Sequence, residues 1–410
     1  MNSTPLANRL TIALFGKRNV GKSSLINALT GQNTAVISEI PGTTTDPVYK
    51  AMELLPIGPV VLIDTAGLDD TGALGELRME KTYEVLRKSD LAVVVVSAAE
   101  GPGHFETKFI QDLKRRKIPS LCVLNKSDLL SFPVEQLPHL EQELGIPVIQ
   151  ASASAGYGIA EVKERIIQHA DYDKKEPSLV SDLIKPGETA VLVTPIDQSA
   201  PKGRLILPQQ QTIRDILECD ARVLITKEHG LKAALESLRQ KPAIVITDSQ
   251  AFQQVSADTP ADIPLTSFSI LFARQKTDLA ELVRGLAKIA ALHSGDKVLI
   301  MEGCTHHRQS DDIGTVKIPR WIRRIAGEEI DFAWASGGTY PKDIEKYDVI
   351  VHCGGCMLNR REMRYRVDLA RERGVAITNY GLLIAYVQGI LKRTLGPFPE
   401  ARPALEEAGL

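Results

Sequence analysis

An apolar run, Leu10 to Phe15, passes directly into Gly16-Lys17-Arg18-Asn19-Val20-Gly21-Lys22-Ser23-Ser24, after which Leu25, Ile26 and Leu29 recur at helical spacing. Strand, glycine-rich loop and helix in that order constrain the chain more than any other feature it carries. They predict a phosphate-binding loop at the carboxyl end of a buried strand, with loop amides and the helix N-terminus facing the anion. In that context Gly16, Asn19, Val20, Gly21 and Ser24 line the phosphates, Lys22 reaches the outer ones, and Ser23 ligates Mg²⁺.

The partners of such a loop follow in order. Val60-Val61-Leu62-Ile63 is a buried-strand run ending in Asp64-Thr65-Ala66-Gly67, which places Asp64 to hold Mg²⁺ through water and the Gly67 amide to sense a γ-phosphate. Leu91 to Val96 and Leu121 to Leu124 are further apolar runs of the kind parallel sheets bury. The second ends in Asn125-Lys126-Ser127-Asp128. The Asp128 carboxylate can accept from the N1–H and exocyclic amine of guanine, whereas adenine offers an acceptor at that edge. Val148-Ile149 then leads to Ser152-Ala153-Ser154, suited to contacting the base from its far side. Residues 1–172 therefore read as a GTPase domain with a mainly parallel sheet.

Gly42-Thr43-Thr44-Thr45-Asp46 falls where the first switch belongs and resembles the Gly-Thr-Thr-Arg-Asp of the TrmE/Era group, with Thr45 in place of the arginine. Thr44 is the threonine expected to complete the Mg²⁺ shell. That resemblance also implies that Asn19 binds a stimulatory K⁺ ion. Leu68 follows Gly67 where Ras-like enzymes keep a water-orienting glutamine; leucine cannot orient water, so hydrolysis should be slow, as suits a switch or timer.

The rest of the chain is long enough for further domains. At 410 residues, two or three are expected. Charge is balanced, 49 basic against 51 acidic residues, so nothing calls for nucleic acid or a membrane surface as partner. No stretch approaches the ~20 apolar residues of a membrane span, and Met1 to Arg9 lacks the apolar core of a signal peptide. Five cysteines do not make a disulfide scaffold in such a chain, and a reducing cytoplasm is expected. Cys122 and Cys219 read as small buried hydrophobes. The polar stretch from Asp171 to Pro177 reads as a linker. Residues 173–270 alternate strand runs (Thr189 to Val193, Arg222 to Thr226, Ala243 to Thr247) with helical ones and read as a small α/β domain without a catalytic constellation. Gly203 to Gln211 reads either as a pairing surface or as an ordinary strand and turn.

Residues 271–410 hold the remaining cysteines. Lys297 to Met301 is a strand run into Glu302-Gly303-Cys304-Thr305-His306-His307, and Asp348 to Val351 runs into His352-Cys353-Gly354-Gly355-Cys356. Helical stretches between them make the strands parallel, so both clusters fall at carboxyl ends, where open α/β sheets place their ligand crevice. Cys304, Cys353, Cys356, His306 and His352 are the candidate metal ligands. Residue chemistry alone leaves open a closed zinc site (Cys304, His306, Cys353, Cys356) and an iron–sulfur cluster with one iron left for a histidine, Glu302, water or a guest molecule. Gly354 and Gly355 allow close backbone approach. Arg360, Arg361, Arg364 and Arg366 read as a solvated helix face, or as holders of an anionic guest beside Cys356. Trp321 and Trp334 read as core or interface residues.

A TrmE-like GTPase domain followed by Cys-x-His and then His-Cys-x-x-Cys resembles the HydF family of FeFe-hydrogenase maturation GTPases, over the whole chain. The resemblance implies three α/β domains: the P-loop GTPase, a dimerisation domain and a parallel-sheet domain binding a 4Fe–4S cluster through Cys304, Cys353 and Cys356. It also implies a homodimer that receives a diiron precursor from radical-SAM enzymes and delivers it to the apo-hydrogenase, with GTP governing partner exchange. The competing expectation is an RNA- or ribosome-associated GTPase with a structural zinc; a metal-dependent enzyme regulated by GTP ranks behind both.

Overall fold

The computed structural model describes residues 6–31, 47–67, 73–130, 132–170, 177–195, 205–303, 312–327, 329–337 and 340–410. Thr44, Thr45, Leu68, Cys304, His306 and His307 lie outside them. The chain divides into two compact units, Met1–Lys175 and Glu176–Leu410.

Among the described residues, the first unit is built on six strands: β1 (Leu10–Phe15), β2 (Val48–Leu54), β3 (Gly58–Asp64), β4 (Leu91–Ser97), β5 (Ser120–Asn125) and β6 (Val148–Gln150). Their spatial order is β2-β3-β1-β4-β5-β6, all parallel except β2, which pairs antiparallel to β3 at one edge. β4 and β5 are buried along their whole length, which is why both read as unbroken apolar runs rather than alternating ones. β2 has no such run; its outer residues Val48 and Tyr49 are exposed, and its place depends on pairing with β3.

The second unit contains two four-stranded, all-parallel sheets. β7 (Thr189–Val193), β8 (Arg222–Thr226), β9 (Ile244–Thr247) and β10 (Leu265–Ser267) form one, in the order β10-β9-β7-β8. β11 (Lys297–Glu302), β12 (Asp331–Ser336), β13 (Val349–His352) and β14 (Ala376–Asn379) form the other, in the order β12-β11-β13-β14. One hydrophobic core runs through both, from Leu179 and Ile244 to Val351 and Leu405. The helix Phe268–Lys276 follows β10 without a break and continues through the expected boundary at residue 270. The Ser267 hydroxyl caps it by accepting from the Ile270 amide, and Phe268, Ile270, Leu271, Phe272 and Ala273 bury its body.

Leu207–Glu218 is a helix, so the end of the stretch read as a pairing surface or a strand and turn begins a helix instead. Pro208 sits in its first turn, and the Gln209 side chain reaches back to accept from the Ile206 amide at 3.1 Å. Among the described residues, no helix is long and apolar enough to cross a membrane.

Candidate functional site: a nucleotide loop and a cysteine loop

The nucleotide loop lies between β1 and the helix Lys22–Thr30, as strand and glycine spacing require. Asn19 and Gly21 both take left-handed backbone conformations. A Cβ on Gly16 would lie 2.2 Å from the Val95 carbonyl oxygen, so the loop passes too close to β4 for any side chain there. The Lys22 ammonium donates to the carbonyls of Gly16 (2.9 Å) and Lys17 (2.8 Å), which holds the loop around it. Ser23 donates to the Asp64 carboxylate at 2.5 Å. Burial raises the Asp64 pKa, against the Ser23 hydrogen bond and the Lys22 charge. An alcohol and a half-buried carboxylate brought together beside the lysine fit a Mg²⁺ ion, whose charge would offset the burial. Val20 is buried, Ser24 is exposed on the first helical turn, and Gly67 lies just beyond β3.

The residues expected on the base side divide the labour in a way the sequence does not display. Asn125 is buried and donates to the Val20 carbonyl (2.9 Å), while its side-chain oxygen accepts from the Ala153 amide (3.1 Å). It therefore ties the phosphate loop to the loop after β6. Asp128 is exposed and accepts from Ser152 (2.6 Å) and Ser154 (3.2 Å). The Ser152 hydroxyl is the leading cause that holds this carboxyl below its ordinary pKa, with Ser154 and Lys126 acting in the same direction. Asp128 is thus kept as an ionised acceptor, the form that guanine recognition needs. Lys126 sits between them in a left-handed conformation.

In the second unit, β11 and β13 are neighbours, and their carboxyl ends bring Glu302, Gly303, His352 and Cys353 together. The Cys353 thiol accepts from the amides of Gly303 (3.1 Å) and Gly355 (3.4 Å). Neither glycine has room for a side chain: a Cβ on Gly303 would lie 2.8 Å from Leu358 Cγ, and one on Gly355 would lie 2.5 Å from the Met363 sulfur. Burial pushes both thiols up, that of Cys353 against its two amide bonds and that of Cys356 against the Lys276 charge. Buried sulfurs that accept amide hydrogen bonds fit a thiolate-bound metal centre, whose charge would offset the burial. Among the described residues, no three His, Cys, Asp or Glu side chains gather as a ligand set; Cys304 and His306 are not among those residues.

His352 is buried and both of its ring nitrogens are engaged. Nδ1 lies 2.8 Å from the Cys353 carbonyl oxygen, and Nε2 lies 3.0 Å from Arg366 Nη1. A carbonyl only accepts and a guanidinium only donates, so the ring is neutral with its proton on Nδ1. Burial, reinforced by the Arg366 charge, takes its pKa down to about 3. As arranged, His352 fixes the backbone of the cysteine loop and turns no lone pair toward the sulfurs. Arg366 departs from the solvated helix face expected for it. It is fully buried on the helix Arg360–Glu372, paired with Glu362 (2.9 Å) and donating to the Gly337 carbonyl (3.0 Å), so it is not available to an anionic guest. Arg364 is exposed, as expected. Trp334 is exposed and donates to the Gly314 carbonyl; Trp321 packs against the core.

Lys276 was not visible as a site residue. It is buried, and its ammonium donates to the carbonyls of Gly355 (2.8 Å), Cys356 (3.3 Å) and Leu358 (2.6 Å). No local pattern marks it, because its contacts lie far along the chain. Tyr380 and Glu302, buried near Cys353, are 3.4 Å apart.

Comparison with known proteins gives this pair of loops a context. Residues 179–277 match the hydrogen maturase F dimerization domain, and residues 280–397 match the hydrogen maturase F tetramerization domain. The chain belongs to the hydrogen maturase F family. Its residues 11–126 match the family described as 50S ribosome-binding GTPase. The chain is 36% identical over 168 residues to the tRNA modification GTPase MnmE of Nitrosomonas europaea, covering 41% of this chain and 36% of that protein. It is 32% identical over 190 residues to GTPase Der of Kosmotoga olearia, covering 43% of each. The chain thus spans well under half the length of these curated relatives. Among solved structures, the FeoB G-domain from Methanococcus jannaschii aligns with 28% identity and a TM-score of 0.32, over 40% of this chain and 97% of that one. In hydrogen maturase F terms, the phosphate loop lies in the GTPase domain and the cysteine loop in the tetramerization domain. Lys276, just before the domain junction, joins the dimerization domain to the cysteine loop.

Proposed function

We propose that this chain is a GTP-regulated scaffold for assembly of the FeFe-hydrogenase active site. The reading rests most on one observation: two hydrogen maturase F domains lie back to back behind a GTPase domain, and Cys353 and Cys356 close the carboxyl end of a parallel sheet in the second. Cys304, Cys353 and Cys356 hold a 4Fe–4S cluster, which supplies an electron-accepting iron site when bound. His306, Glu302, water or the guest completes it; His352, engaged at both nitrogens, serves as a positioning residue. The guest is a diiron precursor received from radical-SAM enzymes and passed to the apo-hydrogenase. GTP bound with Mg²⁺ on Lys22, Ser23, Thr44 and Asp64 sets which partner is engaged. Hydrolysis is slow, and K⁺ at Asn19 stimulates it. The chain assembles with itself through the two domains that match the dimerization and tetramerization families, and it works in the cytoplasm. The tRNA-related reading is weaker, because the MnmE likeness covers 41% of this chain and 36% of that protein, whereas the two hydrogen maturase F domains account for residues 179–277 and 280–397.

Anaerobic reconstitution with metal and sulfide analysis, and electron paramagnetic resonance on the reduced form, tests the proposal. About four irons and four sulfides per chain are expected. One tightly held zinc without sulfide would move the assignment to a GTPase with a structural metal.

A further inference from the structure

The cysteine loop is held from beneath by a cation. Lys276 ends the helix Phe268–Lys276, where the negative end of the helix dipole favours a positive charge, and its ammonium lies 5.1 Å from the Phe272 ring centroid. An ammonium has three donors, and three loop carbonyls, those of Gly355, Cys356 and Leu358, accept them. These bonds fix where the ammonium sits beneath the loop.

The bonds also orient the loop. Gly355 has a left-handed backbone, φ +62, so that its carbonyl faces Lys276 while its amide faces the Cys353 sulfur at 3.4 Å. Carbonyls gathered on the lysine leave the positive ends of the peptide dipoles for the sulfur side, which is the arrangement of an anion-accepting backbone concavity. The same helix touches the loop a second time: a Cβ on Gly354 would lie 3.2 Å from Ser269 Oγ.

We propose that Lys276 is a positioning residue and fixed positive charge of the cysteine loop: it shapes residues 353–358 to accept an anionic thiolate-bound centre and makes that centre easier to reduce. This rests on the scaffold reading above. It also gives the dimerization domain a direct hold on the cluster loop, so that a shift of one helix end would be felt at the sulfurs.

The test uses the full chain with Lys276→Met, which keeps length but loses charge and donors, and Lys276→Arg, which keeps both. Hydrogen exchange on metal-free protein should show the amides of residues 355–358 opening at least tenfold faster in K276M, with K276R close to wild type. After reconstitution, the midpoint potential should fall in K276M and return most of the way in K276R. Wild-type exchange and potential in K276M would overturn the proposal. So would faster exchange with an unmoved potential, which would leave Lys276 a packing residue only. If K276M does not fold by thermal unfolding, Lys276→Gln takes its place, with the same expectations. Failure of the wild-type protein to take up iron and sulfide would sink the scaffold reading and the charge role together. Loading in wild type with no change in the variants would sink the Lys276 role alone.

Discussion

Two loops in this molecule do similar work by different means. The phosphate loop and the cysteine loop both leave the carboxyl end of a parallel strand, and each is gathered by a lysine that donates to its carbonyls. The phosphate loop is built from neighbours: Gly16 to Ser23 is continuous, and Lys22 organises it by reaching back to the carbonyls of Gly16 and Lys17. The cysteine loop is built from strangers. Its lysine comes from a helix 79 residues earlier and its arginine from the helix that follows, while Gly303 supplies an amide from just beyond another strand. A contiguous device depends on its own sequence; a dispersed one depends on the fold that delivers its parts. The second should therefore be the more easily broken from a distance.

The largest effects separate the two. Cys353→Ala with Cys356→Ala should abolish iron and sulfide uptake while GTP hydrolysis, followed by phosphate release, stays near wild type. Lys22→Ala should do the reverse, cutting hydrolysis by about 10²–10³-fold, the usual cost of removing one charge-stabilising donor at a reacting phosphate. Loss of both functions from either change would mean that the two loops are not independent devices.

Arg366 offers a sharper cut through the dispersed loop. Arg366→Met leaves the buried Glu362 carboxylate without its partner and should cost about 3–5 kcal/mol, read from denaturant unfolding of the second unit. Adding Glu362→Gln should recover much of that loss, because the uncompensated charge carries most of the penalty. A residual of roughly 1–3 kcal/mol should persist for the unpaired His352 nitrogen. If the double variant is no more stable than R366M, the uncompensated Glu362 charge does not carry the penalty.

The same contrast explains what could be read from residues alone. Strands such as β4 and β5 were legible because burial on both faces leaves an unbroken apolar run, and the nucleotide residues because strand, loop and helix are consecutive. β2, β10 and β14 were not. β2 is half-exposed and set by its pairing, and the other two are short segments lying directly against a helix. Cys353 and Cys356 announced themselves by spacing. Lys276 and Arg366 did not, since a lysine at a helix end and an arginine in a basic helix ordinarily face water. Only the tertiary fold distinguishes buried, fully bonded cations from solvated ones.

The smallest expected effect tests whether the contiguous loop is as self-sufficient as it looks. Asp128 takes hydrogen bonds from two serines, a buried one at 2.6 Å and a more exposed one at 3.2 Å. Neither serine belongs to the Asn125–Asp128 motif; both sit on the loop after β6. Ser152→Ala should weaken GTP and GDP binding by about 0.5–1.5 kcal/mol, up to roughly tenfold, as expected for one hydrogen bond that holds a recognition carboxylate in place. Ser154→Ala, at the longer and wetter contact, should fall at or below the lower end of that range. Titration with a fluorescent guanine nucleotide resolves both. No loss in either variant would mean that the carboxylate is placed by its own backbone turn at Lys126, and that the base side of the nucleotide site needs no help from the loop after β6. A larger loss in S152A would show that even the contiguous site borrows its last element of order from a distant strand.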